Sequence, residues 1–241
     1  MGHNYTKRIA RLEELTAPIL PDDTMAESGR KVLRLDFIGM LQHEAGSRSG
    51  EDIEEVHDMR VATRRLRSTF RLLGDYYKPK VVDGYMRRLR RTAHALGAVR
   101  DLDVMLADMA RFQATLDEAE QAAFQSVCDH WIAKRDAARK SLLRALDKDD
   151  YRRFVKEFSG FVTKSGAGAS AAGKASEDEV SPFQLRHVLP GMLYECLATV
   201  RAYDTVLVDD VPVERLHALR IEFKRLRYAV TLFQEVLGPE I

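Results

Sequence analysis

Between Val56 and Leu73, apolar residues fall at Val56, Met59, Ala62, Leu66, Phe70 and Leu73. Steps of three and four trace one side of an α-helix. The rhythm returns at Leu216, Leu219, Phe223, Leu226, Val230 and Phe233. Nearly every periodic stretch has this period rather than the alternation of a strand. It predicts helices over 28–46, 53–74, 80–97, 100–112, 117–147, 149–163, 182–203 and 212–237. Val206-Leu207-Val208 is strand-like but short enough for a helix-to-helix loop to absorb. The expected fold is all-α: two pseudo-symmetric helical bundles related by an internal repeat, with long antiparallel helices.

Local signals divide the chain further. Leu96-Gly97 through Val104 reads as a helix break and restart. Asp101 and Asp103 then fall in a first turn, where the helix dipole favours acids, or serve as internal partners of Arg65 or Arg100. Ser165 to Gly173 has flexible-linker composition, and Ser181-Pro182 supplies an N-cap with proline at the first helical position. The expected organisation is an N-terminal extension over 1–27, a first repeat unit over 28–163, a linker over 164–180, and a second unit over 181–241.

The polar side of the repeated segment changes the picture. His57, Arg60, Arg64, Arg65 and Arg67 recur, without insertion, as His217, Arg220, Lys224, Arg225 and Arg227. On a helix His57, Arg60, Arg64, Arg67 and Arg71 form one stripe within an arc of roughly 80°, and about 21 Å long at ~1.5 Å per residue. Arg65 sits off the stripe, positioned for a different partner. Like charges at these spacings repel by a few tenths of a kcal/mol per pair, so carboxylates elsewhere in the fold or an anionic ligand must offset them. Arginine predominates, and its planar fork grips phosphate oxygens bidentately. A solvated charged face is the plainer alternative, but it gives no reason for the histidine to recur in place. The helix before each segment also matches loosely, through Gly39-Met40-Leu41 and Gly191-Met192-Leu193, which sets Arg34 opposite Arg186.

Composition is that of a globular chain of 241 residues, 45% hydrophobic and 31% charged, with a net charge of +1. Near-neutrality hides segregation: between His57 and His94 the only acids are Asp58, Asp75 and Asp83. Arg87, Arg90, Arg91 and His94 occupy the polar face of a neighbouring helix, where they either extend the basic surface or simply face solvent. Cys128 and Cys196 have no metal or redox spacing, so both read as buried apolar residues in a reducing compartment. Trp131 reads as core. No signal-peptide or transmembrane run is present, so the cytoplasm is the expected compartment and no membrane partner is expected. No His-x-x-x-His or carboxylate–histidine cluster supports a metal. No nucleophile–base arrangement or phosphate loop supports catalysis. The expectation is a non-enzymatic module with no cofactor and no metal; nothing in the sequence fixes its oligomeric state.

These residues resemble the CHAD family, the conserved-histidine α-helical domain. The likeness rests on H-x-x-R-[VI]-x-x-[RK]-R-L-R in both copies, on L-G-x-x-R-D-L-D-V from Leu96 to Val104, and on Tyr228 after the second R-L-R. It covers roughly residues 28–241. It implies an all-helical fold of two related bundles around a basic surface that binds inorganic polyphosphate, and so an association with polyphosphate granules. By that resemblance the ligands are the family's histidines, arginines and lysines. Here they are expected at Arg34, His57, Arg60, Arg64, Arg65, Arg67 and Arg71, then Arg87, Arg90, Arg91 and Arg100, and in the second copy His217, Arg220, Lys224, Arg225 and Arg227. The family continues past the second basic helix, whereas this sequence stops at Ile241, so by that resemblance the second unit looks truncated at its C-terminus. Many relatives carry a triphosphate-tunnel catalytic domain, but its E-x-E-x-K signature is missing here. The competing readings are sequence-independent RNA or DNA backbone binding, and an accessory module for a phosphohydrolase.

Overall fold

A computed structural model of the chain describes residues 5–170, 183–207 and 211–238. Among the described residues the regular structure is helical, apart from two isolated bridge pairs. The chain divides into two compact units, each gathered from three stretches. The first comprises Met1–Glu14, Leu35–Arg67 and Asp83–Gly160, and the second Leu15–Arg34, Ser68–Val82 and Phe161–Ile241.

The helices that contribute to the first unit, some of them only in part, are α1 (Thr6–Glu14), α2 (Met25–Gln42), α3 (Glu44–Ser49) and α4 (Ile53–Leu73), then α5 (Pro79–Gln113), α6 (Glu118–Asp147) and α7 (Asp149–Thr163). The apolar stripe of α4 is buried throughout: Val56, Met59, Ala62, Leu66, Phe70 and Leu73 are each at most 7% exposed. Burial of such side chains contributes roughly 1.5–3 kcal/mol each, which offsets the like-charge repulsion on the opposite face. Phe37 of α2 packs edge-on against Phe158 of α7 at 4.9 Å. The segment expected as an extension contains α1, whose Leu12 is buried and whose Arg8 donates to Val155 O and Ser159 Oγ of α7.

The helix break expected at Gly97 does not occur. α5 runs unbroken from Pro79 to Gln113, so Asp101 and Asp103 lie mid-helix rather than in a first turn. A glycine interrupts a helix by only about 1 kcal/mol, and Leu89, Leu96 and Val99, each fully buried, anchor α5 on both sides of it. Trp131 is not core: it is half-buried, with Lys134 Nζ 4.2 Å above its ring. Cys128 and Cys196 are both buried free thiols, as expected.

In the second unit Phe70, Tyr77 and Phe161 form a ring cluster with centroids 5.7 to 6.1 Å apart. Tyr77 donates to Ala26 O at 2.6 Å. Gly29 makes this possible, because a Cβ there would lie 2.6 Å from the Tyr77 hydroxyl and 2.9 Å from Leu73 Cδ1. The expected start of the next helix at Ser181-Pro182 lies outside the described residues. α8 (Leu185–Arg201) begins later, because Phe183 and Gln184 are held extended against residues 23–25, with Met25 N donating to Phe183 O. Most of the glycine- and serine-rich linker, residues 171–180, also lies outside the described residues, as do Val208 and the final Pro239 to Ile241.

α9 (Val213–Leu232) and the short α10 (Gln234–Leu237) complete this unit. Here the expected apolar face is only partly covered. Phe233 and Ala229 are buried, whereas Leu216 is 44% and Phe223 53% exposed. α9 packs on α8 and α10, and Leu219, Leu226 and Val230 are half-buried. The two copies of the basic segment therefore share a sequence pattern but differ in burial.

Candidate anion-binding site

α4 and α5 bring their polar faces together in the first unit. Arg60, Arg64 and Arg67 from α4 and Arg90 and His94 from α5 line a recess of about 450 Å³, with Asp101 its single carboxylate. The helical spacing of these residues delivers this: Arg60, Arg64 and Arg67 recur one turn apart, while His94 follows Arg90 by one turn and Asp101 follows His94 by two. Ala93, Gly97 and Ala98 complete the lining. A Cβ on Gly97 would stand at an ordinary 3.8 Å from Arg60 Nε, so only a longer side chain there would fill the recess beside the guanidinium. Four guanidinium groups against one carboxylate leave a strongly positive hollow. Arg60 Nη2 lies 3.9 Å from Asp101 Oδ1, and both side chains are solvent-exposed.

The remaining expected residues are distributed unevenly. Arg34 is buried, and its guanidinium is used up within the second unit: Nε and Nη2 donate to Val162 O at 3.0 and 2.7 Å, and Nη1 donates to Leu15 O. Burial pushes its pKa down. Its expected counterpart Arg186 is exposed instead, and pairs with Asp22. Arg100 is held by Glu54 at 3.0 Å. Arg91 pairs with Asp150 at 2.9 Å and faces a different hollow. Arg87 and Arg71 are exposed and line neither. His57 is half-buried, with a buried Nδ1, and does not line the recess. His217, Arg220, Lys224, Arg225 and Arg227 are all exposed on α9 in the second unit, with Arg225 4.0 Å from Glu222.

Arg65, set off the stripe in sequence, is exposed beside Asp36 of α2. Burial raises the Asp36 carboxyl to about 7, and the Arg65 charge opposes that rise. Asp36 Oδ2 is buried without a hydrogen bond. Asp103 is buried and answers Arg135 of α6 at 2.7 Å, not Arg65 or Arg100. Sequence reasoning missed Asp36 and the role of Gly97, because a lone acid and a lone helical glycine carry no periodic signal. Among the described residues no three His, Cys, Asp or Glu side chains gather as a metal site. Among them, too, no helix is long and apolar enough to cross a membrane.

Comparison with known proteins adds the family. The CHAD domain model matches residues 31–241. Two solved structures are similar in fold. PptA from Streptomyces chartreusis aligns with a TM-score of 0.60 at 15% identity, covering 91% of this chain and 77% of that one. The crystal structure of the CHAD domain from the plant Ricinus communis aligns with a TM-score of 0.61 at 23% identity, covering 91% and 69%. No curated protein matches the sequence.

Proposed function

The chain belongs to the CHAD family, and from that premise we propose that it is a non-enzymatic binding module for inorganic polyphosphate. One observation carries the reading: Arg60, Arg64, Arg67 and Arg90 converge with His94 on one recess with a single acid. A repeating phosphate chain presents anionic oxygens at short intervals, and guanidinium groups one helical turn apart meet them with charge-assisted hydrogen bonds. The exposed cations of α9 supply a second stretch of the same chemistry. In this reading Arg34 and Arg100, both engaged within the chain, act as internal fasteners.

Backbone binding of RNA or DNA uses the same charges, but single-strand binders add aromatic platforms on which bases stack. Among the described residues no Phe, Tyr or Trp lines the recess. No acidic cluster there can hold the Mg²⁺ that phosphoryl transfer uses, which favours binding or accessory service to a phosphohydrolase over turnover. The test is equilibrium binding of long-chain polyphosphate in competition with RNA and duplex DNA of equal phosphate concentration. Polyphosphate is expected to displace both nucleic acids. Equal competition by RNA transfers the assignment to nucleic acid.

A further inference from the structure

A second hollow adjoins the arginine recess along α5, bounded by α6 and α7 and wholly within the first unit. Its volume is about 750 Å³, inside the range of about 300–1,000 Å³ typical of small-molecule sites. Its composition differs from that of the arginine recess. Alanines line it on both helices, Ala95 and Ala98 from α5 and Ala137, Ala138 and Ala145 from α6, with Leu146 and Phe154 alongside. Where larger residues would interlock, these methyls leave the helices apart and give the space apolar walls.

Charge is set at the rim. Arg88, Arg90, Arg91 and Lys148 line the hollow against one acid, Asp150. Two of these cations are already positioned by acids: Arg88 lies against Glu157 and 3.7 Å from Asp150, and Arg91 lies 2.9 Å from Asp150. Lys148 lies at the junction of α6 and α7 with an exposed side chain. Two hydroxyl-bearing residues, Thr92 and Ser141, also line the space. Thr92 Oγ1 donates to Arg88 O and keeps its lone pairs, while Ser141 Oγ accepts from Arg144 and keeps its proton. The walls thus still offer one acceptor and one donor.

We propose that this hollow is a nucleotide site, taking a nucleoside triphosphate with its phosphates on the Arg90, Arg91 and Lys148 rim and its base against the alanine walls. Inorganic polyphosphate has no apolar part to repay the walls. An acyl anion would leave the two hydroxyls facing hydrocarbon, at a desolvation cost. A planar base with polar edges satisfies both. The site shares Arg90 and His94 with the arginine recess, so a nucleotide here acts on residues that also meet polyphosphate, and the two ligands oppose each other.

The test measures ATP and inorganic tripolyphosphate binding by calorimetry to the whole chain and to two variants outside the arginine recess. Ala138→Leu fills the hollow, and Lys148→Ala removes a rim charge without touching the walls. ATP is expected to bind more tightly than tripolyphosphate to the parent. Each substitution should weaken ATP by about ten-fold or more while long-chain polyphosphate affinity stays within about two-fold. If Ala138→Leu melts early, Lys148→Ala alone decides. ATP that binds no better than tripolyphosphate overturns the nucleotide site, because the apolar walls then contribute nothing. ATP affinity that survives both substitutions but is lost in Arg60→Ala/Arg64→Ala overturns it as well, since the triphosphate would then occupy the arginine recess. A parent chain that binds ATP in this pattern but does not bind long-chain polyphosphate would instead sink the polyphosphate reading and leave this one standing.

Discussion

Arg60 on α4 reaches toward Asp101 on α5 across 3.9 Å, in a recess where Asp101 is the one acid among the arginines. With the two side chains 37% and 75% exposed, the pair adds little to stability, since such ion pairs are worth about 0–1 kcal/mol. Asp101 instead occupies, as an internal carboxylate, the place an external anion would take. Asp101→Asn should therefore strengthen polyphosphate binding by about two- to five-fold and leave the melting temperature level. A weaker complex would make Asp101 a positioning partner of Arg60 rather than a competitor.

Two kinds of arginine should separate cleanly. Arg60→Ala with Arg64→Ala is expected to cost about ten-fold or more in affinity, at ~1.5–3 kcal/mol per charged hydrogen bond, with unchanged thermal stability. Arg220→Ala with Lys224→Ala on α9 should behave likewise. Arg34→Met should do the reverse, because it strands the buried carbonyl of Val162, at about 1–3 kcal/mol of stability. Melting curves run beside binding isotherms distinguish the two classes.

Gly97 offers a steric test. Alanine there should stabilise α5 by about 0.5–1 kcal/mol, because its Cβ would meet Arg60 Nε at an ordinary 3.8 Å. Leucine should keep the fold but fill the recess and weaken polyphosphate markedly. Full affinity in Gly97→Leu would move the binding site elsewhere.

Asp36 predicts a pH dependence of stability. Its folded pKa, about 7, lies above the ordinary 3.8 because the carboxyl is buried. Below 3.8 it is protonated in both states and costs nothing. Between 3.8 and 7 the unfolded chain releases the proton while the folded chain retains it, so stability falls as pH rises through that window and levels off above it. Asp36→Asn should thus be near neutral at pH 4 and stabilising at pH 8. The gain is on the order of 2 kcal/mol at about 1.4 kcal/mol per pKa unit, discounted for partial exposure. Denaturant unfolding at the two pH values checks the sign.

Much of this was legible in the chain. Period alone located α4, α6 and α7 almost to the residue, and the burial of Val56 through Leu73 follows the wheel drawn from sequence. The off-stripe position of Arg65 anticipated a separate partner, met in Asp36. What stayed hidden depended on contacts distant in sequence. Arg34 looks like any basic helix residue until the carbonyls of Val162 and Leu15 close on it. The apolar side of α9 repeats that of α4 in sequence, yet its burial depends on neighbours a wheel does not contain. Gly97 signals a break locally, but buried leucines and valine on either side override it.

The most direct test of the central claim is the affinity for long-chain polyphosphate measured across a salt series, for the parent and for Arg60→Ala/Arg64→Ala. Release of counterions makes log K fall linearly with log salt when several cations meet a polyanion, at about −0.9 per neutralised phosphate on duplex DNA. The parent should show a steep linear fall, and the double variant a shallower one with weaker binding at low salt. Equal slopes for the two proteins, or an affinity indifferent to salt, would contradict a polyphosphate site built on the α4–α5 recess.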